Sequence, residues 1–452
     1  MGAKCCIIFK TAAHRRHTLR RTRTMKAAFY TLGCKVNQYE SQSMELTLAK
    51  RGFEIVGCSE DADVYIVNSC TVTAESDRKT RQSVRHLRKL HPDSVIVLTG
   101  CMPQAFPEDS QLLTQADIVT GNRSNAKIPD LIERFFAQRE RIVLIEPHET
   151  GESFSGSIVS DFRERTRATV KIEDGCNRFC SYCIIPYARG RVRSKPLESI
   201  AEEISALEKN GFSEIVLVGI NLSAYGTDCE KNICDAVELA ASFEGIKRVR
   251  LGSLEPDHMT KEITDRLAGC KKLCPQFHIS LQSGCDRTLK RMNRHYTAAE
   301  YEELCRRLRE SFADATLTTD VMVGFAGETA EDFDESVDFV RKIGFEKVHV
   351  FPYSKRSGTR AAQFPDQIPR AVREERSRTM IAAAKEIRDR FLSEQIGRTV
   401  SVLFEERLRD GSVQGYTANY TPVRVSSEQI PHGIRDVKII SCGDDWCIGE
   451  LI

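Results

Sequence analysis

The chain has 452 residues, 41% hydrophobic and 29% charged, and its 66 Lys and Arg nearly balance 64 Asp and Glu, leaving a net charge of +2. That length exceeds one ordinary core and predicts two or three domains, while near-neutrality excludes wholesale nonspecific nucleic-acid binding but leaves room for a local basic face. No apolar run of about 18 residues occurs, which excludes a membrane span, and 17 cysteines, odd in number and following no secretory signal, predict a reducing compartment, the cytoplasm.

Residues 1–24 contain seven Lys and Arg and no acidic side chain. A presequence, a basic RNA-contacting arm and a start placed upstream of a true initiator at Met25 all fit; the last is favoured, with disorder expected in each case. Residues 25–140 then alternate strand-like runs at 26–31, 63–68 and 94–99 with helical runs at 38–51, 75–90 and 129–138. The alternation predicts a Rossmann-like α/β domain with a parallel sheet. Each of the three strands ends in a cysteine: Thr31-Leu-Gly-Cys34, Val67-Asn-Ser-Cys70 and Leu98-Thr-Gly-Cys101. Functional loops gather at the carboxyl ends of such strands. Free cysteine is commonly just a small buried apolar side chain, but repetition at three equivalent positions favours a site. Glycine beside Cys34 and Cys101 suits close approach of a bulky cofactor.

A polar linker is expected over 141–164, and a second α/β series over 165–392. Six strand-like runs, near 169–172, 214–219, 248–253, 276–280, 316–323 and 346–351, predict a partial (β/α)6 barrel open on one side, which suits a macromolecular substrate. Its first strand leads into Cys176-Asn-Arg-Phe-Cys180-Ser-Tyr-Cys183. Three thiolates on one tight loop can hold three irons of a four-iron cube and leave the fourth open. A zinc ribbon would want a fourth ligand nearby, and three cysteines cannot all pair as disulfides. Polar and glycine residues recur after successive strands, at Gly219 and Asn221, Ser253 and Glu255, Gln282 and Ser283, and in the turn 323–329. On one rim they make a cofactor cradle. Arg189, Arg191, Arg193 and Lys195 form a basic strip that either guides phosphates or is a solvated approach to a helix.

Residues 393–452 carry short strand-like runs at 399–404, 413–417, 421–426 and 437–440, hence a small antiparallel β-barrel. Tyr416, Asn419, Tyr420 and Arg424 mix aromatic, polar and basic groups that can stack and clamp RNA, or simply form the barrel's core and rim.

With its flanks Asp174-Gly175 and Ile184-Ile185-Pro186-Tyr187, the Cys176 loop resembles that of the radical S-adenosylmethionine (SAM) enzymes. The strand-end triplet, the three-domain order and the run Gly415-Tyr-Thr-Ala-Asn-Tyr420 resemble their methylthiotransferase branch over residues 26–452. The resemblance implies one four-iron–four-sulfur cluster on Cys176, Cys180 and Cys183 and an auxiliary one on Cys34, Cys70 and Cys101. It implies SAM chelating the open iron, Glu255 accepting from the ribose hydroxyls, and Asn221, Gln282 and Ser283 bonding polar edges, with Gly219 and Ser253 on the same rim. The last segment resembles a TRAM domain, which implies RNA contacts by Tyr416, Asn419, Tyr420 and Arg424; from the basic strip, Arg191 and Arg193 are expected to add theirs.

Local wording resembles one substrate branch in particular. Gly33-Cys34-Lys35-Val36-Asn37-Gln38, Cys285 in Leu-Gln-Ser-Gly-Cys-Asp, and Phe351-Pro-Tyr-Ser-Lys-Arg-Ser-Gly-Thr359 look like the enzymes that methylthiolate C2 of N6-threonylcarbamoyladenosine at tRNA position 37. The branches acting on N6-isopentenyladenosine and on an aspartate of a small-subunit ribosomal protein are the alternatives, and a non-catalytic iron–sulfur RNA-binding or redox-sensing protein a remoter one. One departure is Ala326, where a proline is common, a change expected to loosen that turn. The implied chemistry is radical: SAM cleavage gives a 5′-deoxyadenosyl radical, the auxiliary cluster carries or supplies sulfur, and a second SAM gives the methyl group. The implied partners are the tRNA anticodon loop, an electron donor such as a flavodoxin or ferredoxin system, and a sulfur source.

Overall fold

The computed structural model describes residues 24–156, 158–159 and 166–452. The leader reading, apart from Thr24, and part of the linker reading lie outside these residues. The amino-terminal strands form one parallel sheet in the order Glu54–Val56, Lys26–Thr31, Val64–Ser69, Val95–Gly100, Ile118–Thr120, Ile142–Leu144. Val64–Ser69 and Val95–Gly100 are buried along their whole length, as expected of strands covered on both faces. One face packs on Met44, Leu48, Ile132 and Phe135, the other on Val84, Leu87, Met102 and Leu113. Winding reverses between Lys26–Thr31 and Val64–Ser69, so Cys34 and Cys70 leave the sheet on either side of its topological switch point, where ligands of doubly wound sheets bind. The sheet's outer strands, three residues each, were not evident in the sequence. Ile142–Leu144 falls inside the stretch read as linker, so the sheet extends beyond residue 140.

The second unit contains the six expected strands, Arg167–Lys171, Glu214–Val218, Arg248–Leu251 with its continuation Ser253–Leu254, Gln276–Ile279, Thr316–Val323 and Lys347–Pro352, every neighbouring pair parallel. Side chains alternate across these strands. Ile215 and Leu217 face the core beneath the surrounding helices, whereas Val216 and Val218 face inward and pack on Val36. Val36 belongs to the helix Lys35–Lys50 of the first unit, so the start of that helix covers part of the barrel interior.

The carboxyl-terminal strands Thr399–Arg407, Val413–Thr417, Pro422–Val425, Ile434–Cys442 and Cys447–Leu451 close into a barrel. It is not wholly antiparallel as expected: Pro422–Val425 pairs in parallel with Cys447–Leu451, a strand the sequence reading missed. Among the described residues, no helix is long and apolar enough to cross a membrane.

Candidate active site

After Arg167–Lys171 the chain makes a short clasp, Glu173–Asp174 pairing antiparallel with Arg193–Ser194. The clasp closes residues 175–192 into one loop that carries Cys176, Cys180 and Cys183. The middle of the loop is fastened to the barrel. The Ser181 amide donates to the Met292 carbonyl at 2.9 Å, and the Ser181 carbonyl accepts from Ala361 at 2.7 Å. Asn293 Nδ2 donates to the Phe179 carbonyl at 3.2 Å. Phe179 itself sits at φ 49°, a left-handed conformation that costs a non-glycine residue about 1–3 kcal/mol and persists where the surroundings enforce it. Arg294 Nη1 donates to Cys180 Sγ at 3.5 Å, while its Nη2 pairs with Glu255 and also reaches the Ser280 carbonyl at 3.1 Å. Asn221 Nδ2 lies 3.8 Å from Cys176 Sγ.

The rim residues divide into two groups. Glu173, fully buried, accepts from the Asn221 amide at 2.7 Å. Burial pushes its carboxyl up to about 8 against the pull of that amide. A Cβ on Gly219 would lie 2.5 Å from Glu173 Oε2, so glycine is required there. Glu173 Oε1 and Gln282 Oε1 are buried without a hydrogen-bond partner, a costly state that a polar ligand relieves. Gln282 also holds φ 66°. Ser253 is exposed beside them and Glu255 half-buried. Ser283 departs from expectation: it is fully buried and its hydroxyl accepts from the Cys285 amide at 3.3 Å, so it shapes the turn instead of facing the cradle. Ala326 does not leave its turn loose in the way expected, since Glu328 accepts from the Gly324 amide and from Arg376, each at 2.6 Å.

The strand-end triplet converges on Asn37. Asn37 Nδ2 donates to the Leu32 and Ser69 carbonyls at 2.9 and 2.8 Å, fixing the ends of two strands. Its Oδ1 then stands 3.7 Å from Cys34 Sγ and 3.8 Å from Cys101 Sγ. Cys70 and Cys101 are buried and Cys34 is exposed. The neighbouring glycines are required by the protein's own packing: a Cβ on Gly33 would meet Cys70 Cβ at 2.7 Å and Cys70 Sγ at 2.9 Å, and one on Gly100 the Ser69 backbone at 2.5 Å.

One side chain joins the two cysteine sites. Arg189, six residues beyond Cys183 and only 1% exposed, donates from Nε to Cys101 Sγ at 3.3 Å and from Nη2 to Asn37 Oδ1 at 2.7 Å. It also pairs with Glu40 at 2.5 Å and Asp174 at 3.3 Å, and Lys171 bridges the same two carboxylates at 2.8 and 2.7 Å. Burial alone would raise the Glu40 carboxyl; the Arg189 and Lys171 charges reverse this and hold it below the usual carboxylate range. Burial pushes the thiols of Cys101 and Cys176 up to about 12, a state that a coordinated metal would reverse. Among the described residues neither triplet gathers all its sulfurs within 4.8 Å of one another. A single tetrahedral ion with bonds of about 2.3 Å would hold them about 4 Å apart. The wider spacing, together with the orphaned oxygens at the rim, fits a multi-iron group and a polar cosubstrate. The group Cys285, Asp332 and Glu335 is compact enough for one ion, but Arg287 and Arg291 occupy both Asp332 oxygens at 2.5 and 3.1 Å.

The basic strip does not face solvent as a unit. Arg193 is buried, donating to the Arg189 and Arg191 carbonyls at 2.9 Å and pairing with Asp174 at 3.5 Å, so it is corrected from RNA contact to internal brace. Lys195 is likewise consumed by Glu203. Arg191 is exposed and lies 4.7 Å over the Phe179 ring. Phe179 meets Tyr187 edge-on at 5.7 Å, and Tyr187 is 53% exposed. The last barrel's aromatics turn toward the second unit. Tyr416 and Tyr420 stack at 4.6 Å beneath Arg167, and Arg250 lies 4.7 Å from the Tyr420 ring. The Asn419 carbonyl accepts from Thr316 Oγ1 at 2.6 Å, and its Nδ2 donates to the Asp314 carbonyl. These three residues therefore brace the barrel against the second unit while staying half-exposed, and Tyr420 also lines an open cavity with Lys35, Gln38 and Arg167. Arg424 remains half-buried, 3.5 Å over the Trp446 ring and bonded to Gln414 at 2.9 Å.

Sequence reading missed Asn37, Glu40, Glu173 and Arg294. Asn37 and Glu40 lie three and six positions after Cys34, one helical face from the thiol. Arg294 lies 114 residues from Cys180 and carries no local signal.

Residues 170–340 match the radical SAM superfamily, and residues 26–121 match a family described as "Uncharacterized protein family UPF0004". A Bacillus subtilis (strain 168) protein named threonylcarbamoyladenosine tRNA methylthiotransferase MtaB is 36% identical over 94% of this chain and 96% of its own. A Caldicellulosiruptor saccharolyticus protein named tRNA-2-methylthio-N(6)-dimethylallyladenosine synthase is 34% identical over 93% of this chain and 91% of its own. Among solved structures, the radical SAM methyltransferase TsrM from Kitasatospora setae shares the fold with a TM-score of 0.54 over 73% of this chain and 75% of its own, at 14% identity. A radical SAM core behind a second cysteine triplet, aligned over nearly its whole length with enzymes of that kind, places the chain in the radical SAM methylthiotransferase family.

Proposed function

We propose that the protein methylthiolates C2 of N6-threonylcarbamoyladenosine at position 37 of tRNA, using one four-iron–four-sulfur cluster on Cys176, Cys180 and Cys183 and a second on Cys34, Cys70 and Cys101. Membership of the family implies the first cluster and SAM. The observation that carries the two-cluster reading is the buried Arg189 network, which ties a strand-end thiol of one unit to the cysteine loop of the other. The relatives named for threonylcarbamoyladenosine support the substrate. The relative named for dimethylallyladenosine supports the alternative branch.

A reduced cluster of this type, when bound, supplies the electron that cleaves SAM homolytically, chemistry that no amino-acid side chain can supply. The chain's own residues position the reactants. Asn221 and Arg294 hold the sulfurs of Cys176 and Cys180 by N–H···S contacts. Glu173 and Gln282 offer unpartnered oxygens to the amino or hydroxyl hydrogens of SAM, with Gly219, Ser253 and Glu255 along the same rim. Protonated Glu173 can donate as well as accept. The start of helix Lys35–Lys50 shields inward-facing Val216 and Val218 from water. The exposed Tyr187, with Phe179 and Arg191 behind it, gives a flipped base a surface to stack on.

The test is anaerobic reconstitution followed by iron counting and nucleoside mass spectrometry of tRNA incubated with SAM and reductant. About eight irons per chain, as two such clusters require, and a 2-methylthio-threonylcarbamoyladenosine product are expected. Cys180→Ala should abolish SAM cleavage and product, whereas Cys70→Ala should keep SAM cleavage and lose the methylthio product. Full product formation by the Cys70 variant would defeat the two-cluster reading, and product only on isopentenyladenosine would move the enzyme to the other branch.

A further inference from the structure

We propose that the outer face of helix Ala74–Leu90 is the track on which the phosphate backbone of the tRNA substrate lies; the inference rests on the proposed function. The helix begins four residues after Cys70, and its first amide, that of Ala74, donates to Ser354 Oγ at 3.2 Å on the loop that follows the last strand of the second unit. Behind that contact, Arg356 pairs with Asp77 at 2.7 Å. The helix therefore starts at the junction of the two cysteine sites, where an inserted nucleotide must arrive. It extends from there for 17 residues, about 25 Å at 1.5 Å per residue.

Beyond its first turn the helix carries only basic and neutral side chains on its outward face. Arg78, Arg81, Gln82, Arg85, His86 and Lys89 line an open groove of about 480 Å³, with no acidic side chain in the lining. Arg78, Arg85 and Lys89 recur at spacings of seven and four, which stacks them along one side of the helix. The inner members are partly satisfied, Arg78 by Glu75 at 2.5 Å and Arg81 by Asp109 at 3.4 Å. Arg85 and Lys89 are exposed and make no ion pair among the described residues. Arg88 points away, into carbonyls and Asp117, and takes no part. In a chain whose net charge is only +2, such a run is a local attractive field. Phosphate is the ligand that aligned guanidinium and ammonium groups fit, above all at Arg85 and Lys89, where no acidic side chain pairs with them among the described residues.

The experiment measures binding of threonylcarbamoyladenosine-37 tRNA to the full reconstituted chain across about 50 to 200 mM salt. The variants are Arg85→Glu/Lys89→Glu, the conservative Lys89→Arg, and a single charge-reversal control, Arg306→Glu, on the outside of helix Ala298–Ser311. The double variant should bind at least tenfold more weakly, with a log–log salt slope shallower by about 0.7 to 0.9 for each phosphate that is no longer neutralised. Its iron content and thermal unfolding should stay those of the parent, while Lys89→Arg and Arg306→Glu keep the parent's affinity. Unchanged affinity and slope in the double variant, or equal weakening by Arg306→Glu, would overturn the track. Helix-dependent binding without a methylthio product would leave the track standing and remove the substrate reading instead.

Discussion

At the scale of single residues, Arg189 makes the strongest prediction. Its guanidinium is shared among Glu40, Asp174, Asn37 and the Cys101 thiol in a fully buried setting. Truncating one partner of a buried ion pair strands the other charge, at a cost of about 3–5 kcal/mol. Arg189→Ala should therefore lower unfolding stability by that order, read by chemical denaturation, whereas Arg189→Lys keeps the charge but loses the fork that reaches four groups at once. Asp332 gives a pH prediction. Burial would raise its carboxyl, but the Thr329 amide and the guanidinium groups of Arg287 and Arg291 outweigh that and hold it at about 2, against an ordinary value of 3.8. A depressed carboxyl stabilises the fold fully above its unfolded pKa and ceases to do so as pH falls through its folded one. The contribution is thus present above about pH 4 and lost toward pH 2, and Asp332→Asn should remove that part of the acid limb in an acid-denaturation curve.

At the scale of elements, the strand ends show how sequence and structure divide the work. The three long strands, their cysteines and the six barrel strands were legible, because each is either a nearly continuous apolar run, as in Val64–Ser69, Val95–Gly100 and Glu214–Val218, or a short β-branched or alternating run, as in Arg248–Leu251 and Lys347–Pro352, followed by a turn. Glu54–Val56, Ile118–Thr120 and Ile142–Leu144 were not, since three residues hold no periodicity to read and these strands exist by pairing with a neighbour. The glycines beside Cys34 and Cys101 answer to close approach within the protein: Gly33 lies against the Cys70 side chain and Gly100 against the adjoining strand end. Gly100 sits at φ 99° with the Ser69 amide and carbonyl each 2.5 Å from where a Cβ would stand. Gly100→Ala should consequently destabilise by more than about 1 kcal/mol. The same variant should lose iron at the strand-end site while keeping the Cys176 loop's, which iron counting and cluster spectroscopy would report. The basic strip, by contrast, misled. Arg189, Arg191, Arg193 and Lys195 alternate along the chain as if on one face, yet only Arg191 reaches solvent, because the clasp at Glu173–Asp174 folds the others inward.

At the scale of the whole molecule, polar seams hold the three units. The carboxyl-terminal barrel is attached through Arg248 and Arg250, which donate to the carbonyls of Ser401, Tyr416, Thr417 and Ala418 while pairing with the buried Glu214. Arg250→Ala should loosen this attachment by about 3 kcal/mol. It should appear as a separate early calorimetric transition and as faster proteolysis near residues 393–398. None of this seam was legible, since its partners lie about 150 to 170 positions apart and the aromatic run that marks it reads equally well as an RNA surface. The amino-terminal unit is fastened by Tyr39 to Glu203 at 2.9 Å and by Arg356 to Asp77. Its cysteine site is finished by Arg189, which stands 88 positions after Cys101 in the chain. The consequence concerns biogenesis. Domains emerge and fold amino-terminus first during synthesis, so Cys34, Cys70 and Cys101 leave the ribosome with Glu40 beside them and no counter-charge until the second unit has folded around Arg189. On the proposed two-cluster reading, loading of that site is deferred until the second unit has folded, and a fragment ending near residue 150 would carry all three thiols without Arg189 beside them.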